Sequence, residues 1–212
     1  MILDVSAVAP FSKNGFVLAC PDTLEGVVVD PGDEVEDLLD SVRRRGITVK
    51  YILLTHAHLD HISGVGRAKA ALDVPVGLHR ADEFLYKAVV QQGIAFGFKV
   101  DPQPPLDFYL EDGGPWGFGR YAAWVHHTPG HSPGGVCLAV GRRDEDVRTL
   151  VVGDTLFAGG IGRTDLPGGD LPTLLASIRN VLFSFPDDCV VWPGHGEQTT
   201  IGRERHTNPF LT

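Results

Sequence analysis

At residue 55 the chain passes from an apolar run, Tyr51 to Leu54, straight into Thr55-His56-Ala57-His58-Leu59-Asp60-His61. Val49 to Leu54 reads as a buried strand. Three imidazoles and a carboxylate follow it at once. A chain built this way must end that strand where polar, metal-capable side chains can converge on a cleft. His56 and His58 are two apart, so in an extended segment they point the same way. Asp60 and His61 come as the chain turns into a helix and can face a second ion. Borderline metals such as zinc take imidazole and carboxylate ligands readily. The plain alternative is four scattered polar residues in a loop, and short motifs do match by chance.

Three later segments add weight. Thr128-Pro129-Gly130-His131-Ser132-Pro133-Gly134, Val152-Gly153-Asp154-Thr155 and Pro193-Gly194-His195-Gly196 each place a ligand-type residue in a Gly-containing turn after a predicted strand. Glycine lets the backbone turn sharply and approach closely. Each segment alone is weak; all three in this order after the first are specific.

The rest of the chain supplies the frame. Strands are predicted at Val17 to Cys20, Val27 to Val29, Val74 to Leu78, Phe108 to Leu110, Tyr121 to Val125, Val136 to Val140, Leu150 to Val152 and Val190 to Trp192. Val35, Leu38, Leu39 and Val42 repeat at helical spacing, with Arg43 to Arg45 in the last turn and Gly46 as the stop. Further helices are predicted from Asp60 to Leu72, from Asp82 to Val90, and after Asp170 with the apolar face Leu174, Leu175, Ile178, Val181 and Leu182. Gln91 to Pro105 reads as a long surface loop. Strands and helices mixed on this spacing indicate a layered α/β domain. A net charge of −9 with no basic run argues against nucleic acid or anionic membrane surfaces as partners. The apolar runs are too short for a bilayer, and Met-Ile-Leu-Asp-Val does not read as a signal peptide. Cys20, Cys137 and Cys189, odd in number and widely spaced, fit a reducing compartment; cytoplasm is the expected location.

The ordered set His-x-His-x-Asp-His, His, Asp, His resembles the five-motif signature of the metallo-β-lactamase superfamily. The resemblance implies an α/β fold, that family's four-layer αβ/βα sandwich, spanning residues 1–212 as a single domain. It implies two divalent metal ions at the edge where the loops of two sheets meet. His56, His58 and His131 would bind one ion, Asp60, His61 and His195 the second, and Asp154 both. Nitrogen and oxygen ligands without thiolate fit zinc first, with iron or manganese also accepted.

Gly153 to Asp165, and Gly194 to Thr200 followed by Asn208-Pro209-Phe210, are similar to the glyoxalase II-like bacterial branch. That likeness implies a small-molecule acyl-thioester substrate, S-lactoylglutathione or a relative. Hydrolysis would proceed by hydroxide shared between the ions, with Asp60 and Asp154 as catalytic carboxylates. Full-length glyoxalase II enzymes add a C-terminal helical region for glutathione; this sequence ends soon after His195, which leaves the thiol carrier open. The alternatives are a mono-iron persulfide dioxygenase using His56, His131 and Asp154, or a hydrolase of another ester or lactone. Such dioxygenases tend to carry Ala-His-Asp-Tyr where this chain has Gly194-His195-Gly196-Glu197. Arg163, Arg203 and Arg205 are candidates for holding substrate, with Lys99 a weaker one. For Arg163 a local pair with Asp165 is the plainer reading. His79, His126, His127 and His206 match no ligand motif, and the oligomeric state stays open.

Overall fold

The strand Gly15–Ala19 is buried along its whole length. Phe16 and Leu18 enter one apolar cluster, Val17 and Ala19 another. A strand's two-residue period sends alternate side chains to opposite faces, so a sheet covered on both sides reads as an unbroken apolar run. The computed structural model describes residues 1–212 and places this strand second in a six-stranded sheet. The sheet comprises β1 (Ile2–Ser6), β2 (Gly15–Ala19), β3 (Glu25–Val29), β4 (Thr48–Leu53), β5 (Val76–His79) and β6 (Phe108–Leu110), in that spatial order. β1 to β3 pair antiparallel and β3 to β6 parallel. Helices α1 (Val35–Arg45), α2 (Leu59–Ile62), α3 (Val65–Leu72), α4 (Glu83–Lys87) and α5 (Val89–Phe96) supply the crossovers.

The second half forms another six-stranded sheet from β7 (Pro115–Phe118), β8 (Tyr121–His127), β9 (Val136–Arg142), β10 (Thr149–Gly153), β13 (Val190–Pro193) and β14 (Thr199–Thr200). A small hairpin, β11 (Leu156–Phe157) with β12 (Gly160–Ile161), follows β10, and helices α6 (Leu171–Asn180) and α7 (Ile201–Thr207) complete the chain. β10 and β13 run parallel, the other pairs of this sheet antiparallel.

Three cores define the layers. One packs Leu38, Ile62, Ala68 and Leu85 from the helices on Val17, Val28 and Ile52. The second joins the sheets, with Phe16, Val29 and Leu53 facing Val125, Leu138 and Val151. The third packs Leu174, Ile178 and Ile201 on Cys137, Ala139 and Val191. Helices, sheet, sheet, helices is the four-layer αβ/βα sandwich that the resemblance implied. No helix is long and apolar enough to cross a membrane.

Several elements depart from their predicted bounds. The helix expected from Asp60 to Leu72 breaks at Ser63-Gly64. There Gly64 donates its N–H to the Pro31 carbonyl, and a Cβ on it would lie 2.2 Å from the Gly32 oxygen. The helix expected from Asp82 to Val90 is divided into α4 and α5 at Ala88. α5 then runs six residues into the expected surface loop, until Gly97 adopts φ 79°. Gly93 inside α5 weakened the helical pattern; its bare face lets Val100 and the Phe98 carbonyl approach. β1 and α7 were not predicted. β1 is a half-buried edge strand with little apolar excess, and α7 presents mostly polar residues.

Candidate metal centre

The ligand-type residues all sit where strands of the two sheets end on one side of the sandwich. β4 leads into Thr55 and His56, and the Thr55 carbonyl accepts from Val136 N at the start of β9, which ties the two sheets at this edge. The β8–β9 loop carries His131, the end of β10 carries Asp154, and the end of β13 carries His195. Glycine is required here. Gly153 takes φ 51°, and a Cβ on Gly194 would stand 2.2 Å from Asp154 Oδ1.

Three imidazole nitrogens meet at one point. His131 Nε2 lies 2.8 Å from His58 Nδ1 and 3.2 Å from His56 Nε2. A second group forms beside it. His195 Nε2 lies 3.0 Å and His61 Nε2 3.7 Å from Asp60 Oδ2. Asp154 stands between the two groups, its Oδ2 3.6 Å from His131 Nε2 and 3.5 Å from His195 Nε2, its Oδ1 3.3 Å from His61 Nε2. The seven residues expected to be ligands are therefore brought together.

Hydrogen bonds behind the rings set which nitrogen offers a lone pair. His131 Nδ1 lies 2.7 Å from the Arg163 carbonyl, which accepts only, so Nδ1 carries the proton and Nε2 faces the site. His61 Nδ1 lies 2.8 Å from Asp30 Oδ2. Asp30 also accepts from Thr55 N at 2.7 Å and Thr55 Oγ1 at 2.5 Å. With its proton committed to Asp30, Thr55 Oγ1 can accept from His56 Nδ1, 3.1 Å away. Asp30 falls within ligand distance of His56 and His61. With its oxygens so engaged, it acts as the group that orients them.

The residues fit metal ions. His61 Nε2 and Asp154 Oδ1 are buried and have no hydrogen-bond partner, and three imidazole nitrogens crowd a point where no hydrogen-bond pattern satisfies them all. The charge balance agrees. Burial and the neighbouring His131 push His58 down to about 3, and burial holds His56 well below its usual range. Burial also opposes charge on His61, yet Asp60, Asp154 and Asp30 overcome it and raise His61 to about 10. Burial works against ionised Asp60 and Asp154 as well, and the surrounding imidazoles together, His61 and His195 for Asp60 and His61, His131 and His195 for Asp154, outweigh it and lower both. In the metal-free chain a proton on His61 thus stands where the carboxylates call for a cation.

Two supports were not foreseen. Asp82, read as a helix start, is fully buried. Its carboxylate accepts from Ala57 N at 3.0 Å, Ser132 Oγ at 2.8 Å and Gly134 N at 2.5 Å, which fixes the His56/His58 loop against the His131 loop. Lys13 and Glu34 form a buried ion pair at 2.5 Å, with Lys13 also donating to the Asp30 carbonyl. The next residue, Asn14, donates to the carbonyls of Pro193 at 3.0 Å and Gly196 at 2.9 Å, bracing the His195 turn.

The basic candidates divide. Arg163 borders the cleft, but its guanidinium makes two 2.7 Å bonds to Asp165. Arg203 and Arg205 do not line the cleft. Arg203 is exposed beside Glu204, and Arg205 holds Asp187 and the carbonyls of Phe183 and Phe185, anchoring α7. Both side chains sit on α7, apart from the residues that line the cleft. Lys99 lines a separate groove with Asp33 and Arg67. His79 stacks on His127, His126 packs edge-on to Phe185, and His206 is exposed near Asp187.

Fold and site together define a metallo-β-lactamase-type protein, and the superfamily model matches residues 9–195. The chain belongs to the metallo-β-lactamase superfamily. It is 35% identical to the hydroxyacylglutathione hydrolase GloC of Haemophilus influenzae, over 100% of this chain and 98% of that one. Among solved structures it resembles the BLEG-1 B3 metallo-β-lactamase, with TM-score 0.89 and 38% identity over 100% of both chains. It also resembles TTHA1623 in a di-iron-bound form, with TM-score 0.86 and 39% identity over 98% of this chain and 100% of that one.

Proposed function

We propose that the protein is a binuclear metal-dependent hydrolase of acyl-thioesters, glyoxalase II-like in its chemistry. The observation that carries this reading is the Asp154 carboxylate standing between two ligand groups that open into one cleft. His56, His58 and His131 would hold one ion, Asp60, His61 and His195 the other, and Asp154 both. Zinc is the first assignment; iron is supported by the di-iron relative, and manganese suits the same donors. Two such ions supply Lewis acidity and a water of lowered pKa.

The chain itself supplies no covalent nucleophile. No Ser, Thr or Cys lines the cleft. Ser132 is committed to Asp82, and burial pushes the Cys137 thiol up to about 11. Water is therefore the attacking group. Asp60 and Asp154, both facing the cleft, are the carboxylates that would orient that water, whose proton leaves with the thiol. Likeness to GloC supports the thioester class, and the Asp60/His61/His195 group favours a hydrolase over a dioxygenase that needs only His56, His131 and Asp154. BLEG-1 makes a β-lactam the comparison substrate.

The test is turnover by metal-loaded protein. Hydrolysis of S-lactoylglutathione, abolished by chelation and restored by zinc, iron or manganese, is the expected result. Oxygen uptake with glutathione persulfide, together with no hydrolysis of any thioester, would overturn the proposal. Hydrolysis of a chromogenic cephalosporin faster than any thioester would move the substrate class to β-lactams.

A further inference from the structure

The cleft that the metal-ligand residues border also has apolar lining. Phe11, Leu59, Phe96 and Leu166 line it beside His58, Asp60, His131, Asp154 and His195. The wall continues outward, since the Phe98 ring lies 5.0 Å from Phe11, and Phe96 and Phe98 are 47% and 38% exposed. An aromatic face left open to water beside a reaction site is a ready surface for an apolar substrate arm.

The remaining polar lining residues are already engaged. Gln92 accepts from Leu59 N at 3.0 Å and donates to the Ala57 carbonyl at 3.0 Å and the Leu85 carbonyl at 2.8 Å. Arg163 is held by both oxygens of Asp165. Away from the metal-ligand residues, a carboxylate-bearing substrate arm drawn into this wall would meet no unpaired side-chain cation and would lose hydration without replacement. The cleft volume, about 190 Å³, is also small. Sites for drug-sized ligands run to roughly 300–1,000 Å³, so a bulky tripeptide arm would lie outside.

We infer that this site selects a neutral ester or thioester whose short apolar arm lies against Phe11 and Phe96, in preference to an anionic peptide-thiol thioester. The inference rests on the hydrolase reading and sharpens its substrate class. Phe96 is the specificity-determining side chain, because it lines the cleft from the end of α5 and leaves 47% of its surface open to a substrate arm.

The experiment measures kcat/KM of metal-loaded protein for acetyl, butanoyl and hexanoyl thioesters of N-acetylcysteamine, and for the hexanoyl thioester of glutathione. From acetyl to hexanoyl we expect a rise of about tenfold or more, the scale on which apolar pockets discriminate added methylenes. The neutral hexanoyl thioester should exceed its glutathione counterpart. Phe96→Ala should collapse the hexanoyl-to-acetyl ratio, chiefly through KM, and Phe96→Leu should keep most of it. A flat acyl series, a glutathione thioester preferred over the neutral one, or an unchanged ratio in Phe96→Ala overturns the inference and leaves the hydrolase reading standing. No turnover of any ester or thioester overturns both.

Discussion

Asp154 carries the sharpest prediction at the scale of single residues. Its two oxygens face His61 on one side and His131 and His195 on the other. Asp154→Ala should fold, bind fewer than two ions per chain and lose nearly all hydrolysis; full turnover in a metal-loaded variant would refute the shared role. Asp82 tests the support behind the ligands. An amide there would keep one acceptor oxygen and set its N–H donor against either Gly134 N or the pair Ala57 N and Ser132 Oγ. Asp82→Asn should weaken the His56/His58/His131 group by about 10–100-fold in metal affinity, the usual cost of losing an outer support. Competition titration against a chelator reads this directly, and an unchanged affinity in a folded variant would count against it. The seven residues gathered here were legible in sequence, four as a dense His/Asp run after a buried strand and three beside glycines at strand ends, with their sharing between two ions supplied by the family resemblance. Asp30 and Asp82 were not. Asp82 was read only as the start of a helix and Asp30 was not singled out, and their roles exist only through hydrogen bonds to residues 25 to 52 positions away. Arg203 and Arg205 looked free for the opposite reason: sequence showed their charge and hid Asp187 and Glu204.

At the scale of elements, α6 buttresses the His131 loop. Asp170 N and Ser177 Oγ donate to the carbonyls of Gly130 and Pro129, both at 2.7 Å, and a Cβ on Gly130 would lie within 2.5 Å of Leu174. Leu174 is fully buried in the outer core. Leu174→Ala should cost about 2–5 kcal/mol, as truncating a buried leucine does. At ~2–4 °C per kcal/mol for a chain of this size, a thermal melt would show it plainly; a loss under ~1 kcal/mol would mean that α6 collapses onto the gap. This helix was readable from its cap and its apolar spacing, and Asp170 does accept from Thr173 N at 2.9 Å. The run of α5 to Phe96 was not, since Gly93 weakens the local helical pattern while its bare face packs against Val100 and the Phe98 carbonyl.

Across the whole molecule the site lies on the seam between the two sheets. His56, His58, Asp60 and His61 follow β4 of the first sheet, whereas His131, Asp154 and His195 come from strand ends of the second. Each proposed ion would thus draw ligands from both halves and cross-link them. Without ions, three close imidazole nitrogens and unpartnered buried atoms remain at this edge, a cost that the interior cores must offset. Metal binding should therefore stabilise the fold by mass action, by ~2.7 kcal/mol when free metal is a hundredfold above its dissociation constant. The melting midpoint should rise with metal concentration and fall on chelation. Hydrogen exchange should locate the change, with the largest acceleration in the metal-free chain at residues 55–61 and 129–135, and at Gly15–Ala19, whose side chains enter the first and second cores, a rise no larger than the loss of global stability. Equal midpoints with and without metal, in protein shown to bind two ions, would mean that the seam is held by its hydrogen bonds alone, chiefly Val136 N to the Thr55 carbonyl and the bonds to Asp82.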